Sequence, residues 1–170
     1  MGWLARFLGA VPRHEREGLH LDLTHPFWEL DGKTTFPVLF RALPEILRQE
    51  SILYFEGGFP NDPTKRFFSE AAVPEFCHIG IGTIWPRPQI VHVPATARNL
   101  IRLEQIAESC AEPELAIHFH VYAKRRVLLE WHDAFTQPML LAGDIEEVNV
   151  RAFAERLGMS YHREIPKGTL

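Results

Sequence analysis

The sequence predicts a single α+β domain: a mainly antiparallel sheet of about five to seven strands, built from hairpins, with four or five helices packed largely on one face. Two observations carry this expectation. Runs rich in β-branched and aromatic residues fall in adjacent pairs, and short helical stripes of apolar residues are interspersed among them. A chain of 170 residues, 46% hydrophobic and 24% charged, suffices for one core at the usual size of one domain, so residues 1–170 are read as one unit.

Along the chain, Trp3, Leu4, Phe7, Leu8 and Val11 recur at helical spacing, which predicts a short amphipathic helix over 2–11 ended by Pro12. Together with an irregular stretch broken by Gly18, Pro26 and Gly32, it makes up residues 1–34, with one short strand expected at 19–23. Thr35 is placed to cap a helix with Pro37 in its first turn and Leu39, Phe40, Leu43, Ile46 and Leu47 as its buried stripe, kinked or split at Pro44. Residues 52–56 read as a strand, and Asp62 and Pro63 open a helix running to about residue 72.

Two hairpins follow, 77–85 with 89–93 and 114–122 with 127–135, and between them Thr96 caps a helix to about residue 111 with Leu100, Leu103, Ala107 and Cys110 inward. Asp144 to Glu147 is a capping-box variant whose helix turns Val148, Phe153, Ala154 and Leu157 to the core and ends at Gly158, before a last strand over 159–163.

Charge and motifs exclude several functions. With 22 acidic against 18 basic side chains the net charge is -4, which disfavours a nucleic-acid partner. The glycines meet neither the dinucleotide nor the phosphate-loop pattern, and no serine lies in a nucleophile elbow. Cys77 and Cys110 lack disulfide or zinc spacing, and the apolar start, interrupted by Arg6, is too short for an export signal or a membrane span. The expectation is a cytoplasmic protein with no membrane attachment.

The one pattern that points to chemistry is histidine on strands, from a total of nine. In 115–122 the odd positions are apolar and the even ones include His118 and His120; in 127–133 the odd positions are again the more hydrophobic, leaving Glu130 and His132 on the even side. Sending both odd sets to one core requires an odd loop, and a three-residue turn at 124–126 sets His120 opposite Glu130 and His118 opposite His132. Three imidazoles and a carboxylate are a chemically adequate set for zinc, iron or manganese, with His78 and His92 of the other hairpin standing behind them. The plainer reading, favoured here, makes this the solvent face of the sheet.

Aromatic residues at Trp3, Phe7, Phe59 and Trp85, and cations at Lys124, Arg125 and Arg126, are candidate contacts for a partner. The resulting expectation is a non-catalytic protein-binding or regulatory module, such as an adaptor or a small neutralising protein, with no cofactor. One alternative is a metal-dependent hydrolase or oxygenase using a divalent ion at the His/Glu set. The other is a homodimeric structural subunit.

Overall fold

The computed structural model describes residues 17–83, 86–133 and 137–166, so the expected 2–11 helix with Trp3 and Phe7, and Trp85, lie outside the described residues. The elements are β1 (Phe27–Asp31), α1 (Phe36–Ala42) running into a 3-10 turn (Leu43–Glu45), β2 (Ser51–Glu56), α2 (Asp62–Ala71) and β3 (Ile90–Pro94). They continue with α3 (Ala97–Ala107), α4 (Glu112–Leu115), β4 (His118–Ala123), β5 (Arg126–Trp131), β6 (Met139–Ala142), α5 (Glu147–Leu157) and β7 (Ser160–Glu164). The strands form one seven-stranded sheet in the order β3-β2-β4-β5-β6-β1-β7, with every pairing antiparallel. This is the α+β arrangement that the hairpin spacing predicts.

Local chemistry explains most boundaries. Asn61, not Asp62, caps α2, its side chain accepting from Thr64 N, and Thr96 accepts from Asn99 N at the start of α3. Pro44 ends the α-helical hydrogen bonding of α1 and leaves a 3-10 turn. Gly158 closes α5 with φ of 68°, a left-handed conformation that glycine reaches without a Cβ penalty.

The helices bring their apolar sides to one face of the sheet, where Phe119 is the hub. Its ring lies 5.2 Å from that of Phe55, 5.9 Å from Phe36 and 6.0 Å from Phe40, and Phe68 of α2 joins through Phe55. Edge-to-face contacts among buried rings add to the burial itself.

Several expectations are corrected. The hairpin 77–85 with 89–93 does not form: only β3 joins the sheet there, and the chain before it crosses the sheet as an irregular segment touching Leu19 through a single parallel bridge at Ile79. Residues 19–23 contribute only that bridge, whereas β1 lies in the stretch read as irregular and β6 in one where no element is expected from the sequence. Leu115 belongs to a helical turn, so β4 begins at His118. Glu146, without a side-chain bond, takes the cap position of α5; Asp144 instead pairs with Arg48 and Arg126, and Val148 is 61% exposed because it lies on the outer side of the helix.

The β4–β5 loop also differs, and the difference preserves the register. Ala123 pairs with Arg126, leaving a two-residue turn at Lys124 and Arg125 with Lys124 at φ of 55°. Val121 then pairs with Leu129 while Tyr122 pairs with Val127, so Leu128 is an extra residue, a β-bulge that restores the parity an odd loop would have given.

Phe119→Ala removes the hub of the aromatic cluster from a site with no solvent access. The expected cost is about 3–5 kcal/mol, read as a lower urea midpoint with the slope unchanged.

Candidate functional sites: a buried imidazole layer and a basic cleft

The strand alternation sends Leu53, Phe55, Phe119, Val121 and Leu129 to the helices and Tyr54, Glu56, His92, His118, His120, Tyr122 and Glu130 to the opposite face. The expectation that this second face meets solvent is overturned: Glu56 and His120 have no exposure, and His92, His118 and Glu130 are buried. Irregular chain covers it. Leu19 N donates to the His78 carbonyl and Gly80 N to the Leu19 carbonyl, knitting the segment around residues 17–22 to the one around 73–83. A Cβ on Gly18 would lie 2.3 Å from the Gly80 nitrogen, so this crossing requires glycine.

The cover satisfies the two buried carboxylates with backbone donors. Glu56 accepts from the Tyr54 hydroxyl at 2.8 Å, from Gly82 N at 3.1 Å and from Thr83 N at 2.6 Å. Glu130 accepts from Leu21 N at 2.6 Å. Burial alone would raise the Glu130 pKa; the imidazoles of His132, His20 and His120 and the Leu21 amide outweigh it and hold the carboxyl well below the usual carboxylate range.

The imidazoles fall where the register argument places them. His120 is paired with Glu130, and the His118 and His132 rings lie 5.2 Å apart. His120 stacks on Tyr54 with ring centroids 5.1 Å apart and meets His132 edge-on at 4.8 Å, yet neither of its ring nitrogens has a hydrogen-bond partner. Burial, against the opposing charge of Glu130, pushes its pKa down to about 3. His118 and His92 are also lowered, in each case chiefly by burial.

One hydrogen bond fixes a tautomer. Asp133 N donates to His118 Nδ1 at 3.2 Å, so that nitrogen carries its lone pair and the proton of neutral His118 lies on Nε2. His132 Nδ1 stands 3.3 Å from the same His118 nitrogen, and His132 Nε2 stands 3.4 Å from Glu130 Oε2. His20 Nδ1 stands 3.5 Å from Glu130 Oε1.

The structure therefore regroups the expected ligand set. Atoms of His20, Glu130 and His132 all lie within 4.8 Å of one another, whereas His118 stands behind His132 and His120 stacks alongside. His78 pairs with the exposed Glu75, and His92 bonds the Tyr122 hydroxyl; neither stands behind the ligand set as the expected 77–85 with 89–93 hairpin would have placed it. The parity of 52–56 carried a usable signal for Tyr54 and Glu56. Nothing in the irregular stretch around His20 marked that residue.

A second feature lies at the β4–β5 turn. A cleft of about 560 Å³ opens there, with Ile52, Phe76 and Tyr122 among its walls and Arg48, Lys124 and Arg125 at its rim. A further cleft of about 510 Å³ on the other side of the turn shares Arg125 and adds Arg126 and Arg163. Phe76 is 68% exposed, and neither Lys124 nor Arg125 has an ion-pair partner among the described residues. Phe59 is exposed as well but lines neither cleft. No described helix is long and apolar enough to cross a membrane.

Comparison with protein-family models, with curated proteins and with solved structures found no match to this chain, so the sites are read on their own chemistry.

The lowered histidines give a pH dependence with a definite sign. The ordinary pKa of 6.5 for His120 drops to about 3 on folding, so between those values the unfolded chain binds a proton that the folded chain refuses. Stability is full above about pH 6.5 and is lost on acidification, by about 2 kcal/mol at pH 5 from His120 alone. Urea melts of chelator-treated protein across this range should show the loss, and His120→Leu should flatten it.

Proposed function

We propose that this chain is a non-catalytic protein-binding module that engages an acidic, apolar-tipped segment of a protein partner at the β4–β5 turn. The observation that carries this reading is the apolar cleft with Phe76 standing exposed at its wall and Lys124 and Arg125 at its rim, beside Glu50 and an Arg48 already paired with Asp144, in a protein whose net charge is -4. A cationic rim on an otherwise acidic molecule steers and orients an anionic partner, while the cleft supplies the desolvated contact that gives affinity.

The geometry suits recognition better than turnover. Lys124 and Arg125 sit on a two-residue turn projecting from the sheet, and the Ser51 hydroxyl at the cleft donates to the Arg48 carbonyl instead of to a base. An adaptor or a small neutralising protein that covers a partner's acidic surface fits this arrangement. The reading accords with a cytoplasmic setting, as the sequence suggests.

The test compares variants of the full chain in affinity capture from its native cell extract. Lys124→Glu with Arg125→Glu should abolish capture of a stoichiometric partner, Phe76→Ser should weaken it, and Lys65→Glu with Arg66→Glu on α2 should leave it intact. All of these positions are exposed, so stability should stay within about 0.5 kcal/mol of the parent. Equal capture by the turn variant and the parent refutes the reading, and a captured species with the mass of the chain itself identifies a homodimer instead.

A further inference from the structure

We propose that His20, Glu130 and His132 bind one divalent transition-metal ion of the zinc class, and that the ion pins the covering segment around residues 19–22 to strand β5. The proposal goes beyond the partner-binding reading and does not depend on it. Two imidazoles and one carboxylate are the donor set of many zinc sites, and a fourth position remains for water.

Three observations support it. The first is spacing. Glu130 Oε2 to His132 Nε2 is 3.4 Å and Glu130 Oε1 to His20 Nδ1 is 3.5 Å. Charge-assisted hydrogen bonds close at about 2.7–2.9 Å, whereas two donors at ~2.1 Å from one tetrahedral ion stand roughly 3.4 Å apart. The second is convergence. Two imidazoles, one from the covering segment and one following β5, close on the same carboxylate, which is itself buried.

The third is His120. It is fully buried, opposite Glu130 in register and in ring contact with His132, and both of its nitrogens lack any hydrogen-bond partner. An unpaired buried imidazole bears its desolvation cost uncompensated, and a cation nearby would offset it. The nitrogens of His120 lie outside the three-residue donor group, so the ring borders the ion's position without joining the donor set.

The proposed ion also has a structural consequence. His20 comes from the irregular covering segment and the other two residues from β5 and the position just after it, so coordination joins parts of the chain more than a hundred residues apart. The Leu21 amide bound to the same carboxylate orients it from behind, as outer hydrogen bonds do for metal-binding carboxylates.

The test uses the full-length chain without an affinity tag, stripped with chelator, and titrated with zinc in a calorimeter. One ion per chain is expected, with a rise in Tm and slower amide exchange at residues 19–22. His20→Ala, at a half-exposed ring, should weaken binding by at least about tenfold with the circular dichroism unchanged, and Glu130→Gln should do the same. His78→Ala serves as the control that should bind normally. Visible absorption of the cobalt(II) form of the parent reports four-coordination without any variant.

Absence of binding by the parent, or undiminished binding by His20→Ala, overturns the site. Binding that instead disappears in Asp31→Asn with His162→Ala assigns the ion to the exposed Glu29, Asp31 and His162 group on β1 and β7, and also overturns it. Zinc binding with unchanged exchange at residues 19–22 would overturn the pinning of the covering segment.

Discussion

The constraint on which the rest of this structure depends is the burial of two carboxylates on the second face of the sheet. Glu56 and Glu130 sit on neighbouring strands of β4, and each must find donors or pay several kcal/mol for leaving water. Among the described residues, no helix amide donates to either carboxylate. Irregular chain does offer amides, and Leu21, Gly82 and Thr83 donate them. The covering segments are thus irregular because the surface they cover needs backbone donors.

The same constraint explains the glycines of the cover. Backbone can reach a buried acceptor only where no side chain intervenes, and a Cβ on Gly82 would lie 3.1 Å from the His118 ring. Two carboxylates, four imidazoles and two tyrosine hydroxyls then form one continuous polar layer, in which neighbouring charges shift the ionisation of Tyr54, His118, His120 and Glu130. The Tyr54 hydroxyl shows this: burial first, and then the charge of Glu56, raise its pKa above the ordinary tyrosine value.

The helices, the β4–β5 register and the facing of His118, His120, Glu130 and His132 were legible because they follow from periodicity, which is local. The parity argument survived a wrong loop length, since the bulge at Leu128 compensates for the two-residue turn. What was not legible depends on contacts distant in sequence. Residues 77–83 have the alternation of a strand, but Glu56 and the backbone of residues 18–19 hold them across the sheet instead of within it. Alternation marks two different surroundings and does not by itself make either one a hydrogen-bonded neighbour. His20 was missed for the same reason, as its partner lies on β5. Of the basic cleft, the cations were visible and the apolar wall at Phe76 was not.

The bond from Leu21 to Glu130 spans 109 residues. Closing so long a loop is entropically costly and comes late, whereas the β4–β5 hairpin needs only a two-residue turn. Assembly of this protein is accordingly expected to end with a dehydration step: water leaves Glu130 and its neighbouring imidazoles only when the earliest-synthesised described segment settles onto strands made much later. A chain still emerging during synthesis can hold that segment only through residues 78–80, so the final dehydration of the polar layer must wait until β5 is available.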